Sequence, residues 1–571
     1  MKKARFIALF LMICLLCRFF GGDIRRFAIL TSESLYYIII FSKQTIKKKG
    51  FCTMRKLILI LLALVMLVSA FASCGGDATQ STPKQTTKKP ETTEDKPESE
   101  QMNLDLDSID YDGTEVHIFH WKPDADYHEF GMNLADVNND AVNNAIYQRN
   151  SYTETDLGIT LDWQEQTGSI YTQTRSFIDR LESRVKDPNT PVDIIAAQAR
   201  SMPYFMVEGH LTDLNTYSDS LDLTKAWWPE NIQETFEIKD RLYFVSGDIS
   251  ANLLRNMTVI FVNKTMLESI GEDYIELMEK VKNYEWTLDD LIVLNEGMYH
   301  DVNDNGERDL EDKYGLITFY YHSDALYAGL GYQYMSKSSR DDQAFRLSSQ
   351  IASETASNYI QKMKDWHATH DFHMYLPEKA YFEPFLNGNA LFLIHRAWFG
   401  FELQKTDIKY AVLPTPALDT NQQRYYTTIG HQFTTYGICS ASPDYDIAAQ
   451  TLQVLGYHAF STTTPALFEV SFQGKFSKDD YTIEMFNIIR NSVVFDVGRI
   501  FDVFITTLDG GFETYKYYLL SNVVSFAIRG NADGTEISFN FPSTGDPTRR
   551  KVQQDLDVAN KKIVDFIDSQ S

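Results

Sequence analysis

Cysteine, glycine, proline and basic residues are all scarce in this chain of 571 residues, and each shortage excludes a class of protein. The five cysteines, four of which precede residue 75, are too few and too unevenly placed for a disulfide scaffold. With 29 Gly, 16 Pro and 44% hydrophobic residues, the chain is neither fibrous nor disordered. A formal charge of −25, from 53 Lys and Arg against 78 Asp and Glu, excludes a general nucleic-acid binder. The chain also lacks the phosphate-binding loop GxxxxGKS/T and the nucleophile elbow GxSxG.

The N-terminal region holds an export signal that begins well inside the chain. Arg55 and Lys56 follow Met54 and precede an apolar stretch, 57–72, which leads to Cys74. These are the parts of a secretory signal, predicted here over 54–73. The codons for 47–50 can contain a purine-rich ribosome-binding sequence just ahead of Met54. We therefore expect residues 1–53 to be translated upstream sequence that is not part of the native protein.

The cysteine that ends the signal predicts a lipid anchor. The sequence FASC resembles the lipobox of bacterial lipoproteins, which implies a diacylglyceryl thioether on Cys74. After it, residues 75–101 contain no aromatic residue and no aliphatic residue larger than Ala, so 74–110 is predicted to be a disordered tether. Without residues 1–73 the charge is −35, from 41 Lys and Arg against 76 Asp and Glu. A lipid anchor and a tether predict an extracellular location on the outer face of the cytoplasmic membrane.

From residue 111 onwards, strand and helix patterns alternate. The predicted strands are buried or alternate in polarity, and the predicted helices have apolar residues at helical spacing with a glycine stop at Gly158. In order, these are a strand over Glu115–Trp121, a helix over 134–157, a strand over 159–163, a helix over 169–186 and a strand over 192–196. Such spacing is typical of βαβ units, and the predicted fold class is α/β.

Five segments in the same order carry a resemblance to a known family. The chain is similar to the extracellular solute-binding lipoproteins of ABC importers, of the sugar type known as family 1, through most of residues 111–530. The matching segments are VDIIAAQARSMPYFMVEGHLTDLN (192–215), RLYFVSGDISANLLRNMTVIFVNKTMLESIG (241–271), YEWTLDDLIVL (284–294), ALFLIHRAW (390–398) and YAVLPTPALD (410–419). In the third segment we expect Thr287 to cap a helix and Trp286 to pack in the core.

The resemblance implies a two-lobed periplasmic-binding-protein-like fold with a hinge of crossing strands. On this basis we expect 111–250 to form the first part of lobe 1 and 251–395 the first part of lobe 2. Residues 396–440 would return to lobe 1, and 441–571 would complete lobe 2 and add C-terminal helices. The implied protein is a monomer and not an enzyme: it captures a sugar or oligosaccharide by lobe closure and delivers it to ABC permease subunits.

Three tryptophans are the aromatic candidates for contact with a sugar ring, because indole faces offer apolar area with a polar rim. Trp121 ends the first predicted strand, where open α/β sheets bind ligands. Trp228 and Trp398 lie in segments that line the cleft of the family. Trp398 is the leading candidate, since it follows the apolar run 390–394, and an extended backbone would point it the same way as Arg396.

Three charged residues complete the candidate set. Arg200, Asp248 and Arg396 follow strand or hinge segments, where they would hydrogen-bond sugar hydroxyls. The charge of −35 disfavours an acidic sugar unless a local basic patch overrides it, so a neutral saccharide is predicted. Two alternatives stay open: a surface lipoprotein that binds or degrades glycans without a permease, and a peptide receptor.

One loop has the spacing of a calcium site. In DVNDNGERDLED (301–312), oxygen ligands fall at positions 1, 3, 5, 7, 9 and 12, and Gly306 occupies the turn at position 6. The predicted ligands are Asp301, Asn303, Asn305, Glu307 through its backbone carbonyl, Asp309 and Asp312. The loop predicts one structural Ca²⁺, and no organic cofactor is expected. A polar turn without an ion remains the alternative, because position 12 is Asp and a strand rather than a helix follows.

Overall fold

A computed structural model describes most of the chain beyond the predicted tether. The described residues are 104, 106, 109–123, 128–131, 140–168, 173–320, 322–374, 380–472, 480–507, 520–530 and 543–570. All of them belong to the compact unit Glu94–Ser571. The predicted upstream segment, the signal, Cys74 and the first part of the tether lie outside the described residues.

The strands form two mixed sheets and one hairpin. The first sheet has the order β11-β3-β1-β2, the second has the order β10-β4-β9-β5-β8, and β6 pairs with β7. The strands are β1 Thr114–Trp121, β2 Ile159–Gln166, β3 Ile194–Gln198, β4 Thr258–Asn263, β5 Tyr314–Ile317, β6 Met335–Lys337, β7 Phe345–Leu347, β8 Phe372–His373, β9 Ala390–Arg396, β10 Tyr410–Leu413 and β11 Thr434–Ile438.

Helices surround both sheets. They are α1 Ala141–Leu157, α2 Thr174–Val185, α3 Met202–Val207, α4 Ile232–Phe236, α5 Ala251–Arg255, α6 Lys264–Ser269, α7 Tyr274–Lys282, α8 Leu288–Asn295, α9 Asp324–Gly329, α10 Glu354–Ala368, α11 Glu383–Leu386, α12 Gly400–Leu403, α13 Tyr445–Ser461, α14 Thr463–Ser471, α15 Asp480–Asn491, α16 Val497–Ile500, α17 Asp502–Thr507, α18 Leu520–Arg529 and α19 Pro547–Ser569, with short 3₁₀ helices at Leu214–Tyr217 and Ala397–Phe399.

The predicted βαβ units are confirmed in the first sheet. Strand β1 pairs in parallel with β2 and with β3, and helices α1 and α2 make the connections. Helix α1 ends at Gly158, which adopts φ +62° and donates its N–H to the carbonyl of Glu154. A left-handed residue at this position favours glycine, because a Cβ would strain the backbone. The α/β fold class predicted from the sequence is therefore correct.

The second sheet is buried on both faces. Every residue of β4 is buried, and six of the seven residues of β9 are buried. Helices cover strands of this kind on both sides, so their sequences read as continuous apolar runs. Thr287 and Asp290 form the predicted cap of α8 as a reciprocal capping box, and Trp286 is fully buried beside it.

Three chain segments run between the sheets and pair with one another. Met257 forms a bridge with Ile429, and Thr427 forms a parallel bridge with Val493. The N–H of Thr427 also donates to the carbonyl of Ser492 at 2.7 Å. We call the segments 256–258, 427–430 and 492–495 the crossing segments, since each passes from elements of one sheet to elements of the other.

Two elements pack with a different sheet from the one predicted for their residue range. Strand β10, within 396–440, pairs antiparallel with β4 in the second sheet, and the chain reaches the first sheet only at β11. Helix α13, within 441–571, packs against α1 and β11 of the first sheet. Both positions depend on contacts between residues far apart in sequence, which local patterns do not encode.

Candidate functional site

Two buried ion pairs connect elements of both sheets through the C-terminal segment 497–507. Arg200 follows β3 of the first sheet, and its Nη2 donates to Oδ2 of Asp502 at 2.8 Å. Asp324 begins α9, which follows β5 of the second sheet, and it pairs with Arg499. All four side chains are less than 9% exposed. Helix α17 therefore supplies the ion-pair partner of a residue next to the first sheet, and α16 supplies the partner of a residue next to the second sheet.

Burial shifts the pKa values of two members of this cluster, Asp502 and Arg499. It raises the pKa of Asp502 to about 6, although Arg200 acts in the opposite direction. It also lowers the pKa of Arg499 to about 10, with a further contribution from the nearby Arg200. Because removing one partner would leave a buried charge without compensation, losing either member of a buried pair costs more stability than losing a member of an exposed pair.

A group of buried histidines lies close to these ion pairs. The rings of His322 and His395 are 4.9 Å apart, and the Tyr381 hydroxyl lies 3.3 Å from Nδ1 of His322. Burial lowers the pKa of His395 to about 3 and that of His322 well below its ordinary value. The pKa of His431, in the loop after the crossing segment 427–430, is lowered by burial and by the charges of Arg200 and Arg396. At neutral pH these imidazoles are uncharged hydrogen-bonding groups.

A cavity of about 380 Å³ lies beside the crossing segments. Helix α4 forms one wall on the side of the first sheet, since Phe236 packs on Phe244, next to Val245, which bridges to Tyr436 of β11. Ala328 near the end of α9 and residues 331–337 after that helix form another wall, and 424–428 and 494–499 line the rest. The volume falls within the ~300–1,000 Å³ typical of small-molecule sites.

The chemistry of the cavity lining is mixed. Tyr332 and Tyr426 present aromatic rings, and the guanidinium of Arg424 lies 5.1 Å from the centre of the Tyr426 ring. Lys337 contributes a half-buried ammonium group. Arg499 joins this cavity to the ion-pair cluster. Sequence reasoning missed all of these residues, because the two walls and the crossing segments meet only in the folded chain.

Three of the six predicted ligand-binding residues lie in the interior of the first-sheet region. Trp121 is buried, and its Nε1 donates to Oγ1 of Thr434 at 2.8 Å. Trp228 is buried, and its Nε1 donates to Oε1 of Gln453 at 3.0 Å. Asp248 is buried and accepts hydrogen bonds from Arg490 at 2.8 Å and Thr464 at 2.7 Å. The polar groups of these three side chains therefore bond to other groups of the protein.

The other three lie close to one another around the histidine group. Arg200 and Arg396 both act on His431, and Nη1 of Arg396 donates to Oδ1 of Asn256 at 3.0 Å. Trp398 is half-buried and meets the His395 ring edge-on at 5.0 Å. The expected shared direction of Arg396 and Trp398 needs correction: β9 ends at Arg396 and Trp398 lies in a 3₁₀ turn, where side chains do not alternate.

The predicted calcium loop folds around the side chain of its first residue. Asp301 accepts the backbone N–H of Asn305 at 3.2 Å and that of Gly306 at 2.7 Å, and Gly306 adopts φ +75°. Asp309 accepts the side-chain amides of Asn303 at 2.9 Å and Asn305 at 2.7 Å, and these hydrogen bonds lower its pKa. The turn at position 6 is thus present, as the spacing predicts.

The last position of the loop is buried. Asp312 accepts the N–H of Val302 at 3.1 Å, the N–H of Asp309 at 3.2 Å and the hydroxyl of Tyr299 at 3.2 Å. The chain then enters β5 directly, as expected from the sequence. The loop therefore connects the end of α8 to β5, which lies between β9 and the edge strand β8 of the second sheet.

Comparison with known proteins finds similarity in solved structures. No protein-family model and no curated protein sequence matches the chain. An ABC substrate-binding protein from Listeria monocytogenes in complex with cycloalternan is 12% identical, with a TM-score of 0.43, and the match covers 79% of this chain and 99% of that protein. Maltose-bound MalE3 of T. maritima is 13% identical, with a TM-score of 0.43 over 78% and 99% of the two chains.

A third solved structure is a cyclo/maltodextrin-binding protein complexed with maltotetraose. It is 12% identical, with a TM-score of 0.47, and the match covers 80% of this chain and 97% of that protein. These structural neighbours are sugar-binding proteins of the class that the sequence resembles. Similarity at 12–13% identity does not show what this chain binds. In the described part of the chain, no helix combines the length and apolar character needed to cross a bilayer.

Proposed function

We propose that this chain is the substrate-binding component of an ABC importer, which captures a sugar or oligosaccharide between its two sheets and delivers it to permease subunits. The observation that carries the proposal is the cavity of about 380 Å³ beside the crossing segments. One wall comes from α4 beside the first sheet and another from the segment after α9, which follows β5 of the second sheet, so a movement about the crossing segments would change its shape. A ligand that contacts both walls stabilises the closed arrangement by its differential affinity for that state.

A thermal-shift screen tests this function. The full chain, purified in detergent, is heated with neutral and acidic disaccharides, polymeric glycans and short peptides. A ligand at 100 times its Kd adds ~2.7 kcal/mol to the stability of the folded state, which raises the melting temperature measurably. We expect saccharides to raise it, and we expect Tyr426→Ala in the cavity to remove the effect. Tyr152→Ala is the matched control, because Tyr152 is 47% exposed on α1 and does not line the cavity.

The same screen distinguishes the alternatives. Stabilisation by peptides alone would indicate a peptide receptor. Cleavage of a glycan, detected as new reducing ends, would indicate an enzyme. Binding of polymeric glycans without short sugars would favour a surface glycan-binding lipoprotein that needs no permease. Each of these outcomes would overturn the proposed importer function.

We further propose that the protein is a monomer held on the outer face of the cytoplasmic membrane by a lipid on Cys74. The support is the order of segments in the sequence: a basic and apolar signal, the lipobox-like FASC, and a polar tether ahead of the first sheet. Two or more acyl chains anchor a protein stably where one chain would be marginal. This position would keep the binding cavity near a permease in the same membrane.

A structural Ca²⁺ in the loop 301–312 is also proposed. All of the expected ligands are oxygen atoms, which suit a hard cation, and the loop makes the turn that such sites require at Gly306. Asp301, Asn305 and Asp309 already face one another through hydrogen bonds within the loop. An ion held there would stabilise the connection between α8 and β5 rather than contact a sugar.

A further inference from the structure

We propose that the saccharide bound in the cavity is acidic, with a carboxylate or sulfate that pairs with Lys337 and Arg424. This proposal rests on the proposed function and specifies its substrate class. It departs from the neutral sugar expected from the overall charge, because the local charges of the cavity decide which ligands it accepts.

The first observation is the position of Lys337. This residue ends β6 and lines the cavity, where it is half-buried. Within the described part of the chain, its ammonium group forms neither an ion pair nor a hydrogen bond. Burial lowers its pKa, and the charges of Glu237, Glu234 and Asp240 only partly offset that effect. A partly dehydrated cation of this kind gains from an anionic partner.

The second observation is Arg424, on another wall of the same cavity. Its guanidinium group lies over the ring of Tyr426 and has no carboxylate partner among the described residues. Arginine presents a planar set of donors that matches a carboxylate or sulfate with two parallel hydrogen bonds. Stacking on an aromatic ring restricts the side chain in advance, which lowers the cost of ordering it on binding.

The other charged groups of the lining are two carboxylates, Asp496 and Glu234, and the guanidinium of Arg499. The carboxylate of Asp496 accepts backbone N–H groups from Tyr334 at 2.6 Å and Gly498 at 2.7 Å. Arg499 is paired with Asp324, and Glu234 is exposed. Lys337 and Arg424 are therefore the cations of the lining that have no carboxylate bonded to them among the described residues. Acidic residues outnumber basic ones across the chain, 78 to 53, so two unpaired cations in one cavity point to a ligand that supplies the anion.

The cavity also has the apolar surfaces that a sugar ring requires. Tyr332, from the second-sheet side, and Tyr426, next to a crossing segment, both line it. Aromatic faces stack on the C–H face of a ring, while the charged group fixes the orientation of the sugar. Free phosphate or sulfate would use the cations without the rings, so the experiment includes inorganic anions.

Isothermal titration calorimetry on the full chain in detergent tests the proposal. The probes are disaccharide pairs that differ only in one acid group: galactose-terminated against galacturonate-terminated, glucose-terminated against glucuronate-terminated, and galactobiose with and without a sulfate ester. Inorganic sulfate is the probe for an anion alone. We expect the acidic member of at least one pair to bind roughly ten- to hundredfold more tightly than its neutral counterpart.

Variants identify the residues responsible. Lys337→Met and Arg424→Gln should each lower affinity for the acidic sugar by roughly tenfold or more while changing the neutral sugar little. Lys337→Arg should retain the preference. Lys186→Met is the control, since Lys186 is exposed, lies outside the lining and has the same charge. Melting temperatures of the unliganded variants check that each one folds.

The outcomes separate this inference from the proposed function. Neutral members that bind as tightly as their acidic partners would overturn the inference and leave the importer function standing. Equal losses in Lys337→Met and Lys186→Met would overturn it too, because the effect would then be one of net charge. Inorganic sulfate that binds as tightly as the acidic sugar would reject the saccharide as the ligand. Failure of every saccharide to bind would overturn the proposed function itself.

Discussion

Removing Arg200 should destabilise the protein strongly, because it leaves Asp502 as a buried carboxylate without its cation. The side chains of Arg200 and Asp502 are 8% and 3% exposed and form one hydrogen-bonded ion pair at 2.8 Å. Breaking a buried pair by removing one partner costs about 3–5 kcal/mol. We therefore expect Arg200→Met to lower the free energy of unfolding by that amount at pH 7.5, as measured by urea denaturation.

Two further variants show whether burial is the cause. The double variant Arg200→Met/Asp502→Leu replaces both charges by apolar groups and should recover most of the loss. The exposed pair Lys405–Glu402 is the matched control: its atoms are 2.7 Å apart, but its side chains are 68% and 40% exposed. Lys405→Met should cost less than ~1 kcal/mol, because water screens that pair.

The loss of stability caused by Arg200→Met should also depend on pH in a defined direction. Burial already raises the pKa of Asp502 to about 6 in the folded protein, and loss of Arg200 would raise it further. A carboxyl group whose pKa is higher in the folded chain than in the unfolded chain stabilises the fold fully at pH values below the unfolded pKa of 3.8. That stabilisation is lost as the pH rises through the folded pKa. The penalty of Arg200→Met should therefore be largest at pH 7.5 and shrink towards pH 4. A loss below ~1 kcal/mol at pH 7.5, or a loss independent of pH, would refute this reasoning.

Three other predictions address the anchor, the loop and the aromatic candidate. Cys74→Ala, expressed from Met54, should release the protein from the membrane fraction or leave the precursor unprocessed; membrane retention equal to wild type would contradict the lipid anchor. Chelation of divalent ions should lower the melting temperature without abolishing ligand binding, since the loop 301–312 supports local structure; unchanged melting after both chelation and Asp301→Ala would identify an ordinary turn. Trp398→Ala should weaken saccharide binding by ~1–3 kcal/mol in calorimetry while the fold survives. A destabilised Trp398→Ala variant with unchanged affinity would instead place Trp398 in the core.

The predictable parts of the fold are those determined by neighbouring residues. The alternating polarity from Glu115 to Trp121 predicts a strand, and the structure extends it by a single residue, although the last four residues of β1 are buried on both faces. Gly158 ends a helix because glycine itself adopts a positive φ without strain. Thr287 caps another helix through hydrogen bonds with Asp290, three residues further on. The turn at Gly306 likewise follows from the local spacing of its loop.

The candidate site was only partly predictable from the sequence. Arg200, Arg396 and Trp398 were selected because they follow strands, and they do lie around one group of histidines. The 3₁₀ turn at Trp398 was missed, since nothing in ALFLIHRAW marks the point where the strand ends. Trp121 ends a strand and Trp228 lies in a segment that resembles a cleft-lining one, yet their indole N–H groups bond to Thr434 and Gln453, which lie more than 200 positions away.

The sequence by itself determined the α/β class, the helix caps and the turn of the loop 301–312, because each depends on residues within a few positions of one another. Only the tertiary structure decided that Arg200 meets Asp502, 302 positions away, and that Asp324 pairs with Arg499. It alone brings Lys337 and Arg424 to one cavity. The physical reason is that the energy of a buried charge depends on which groups the folded chain places around it, and local sequence patterns carry no record of those groups.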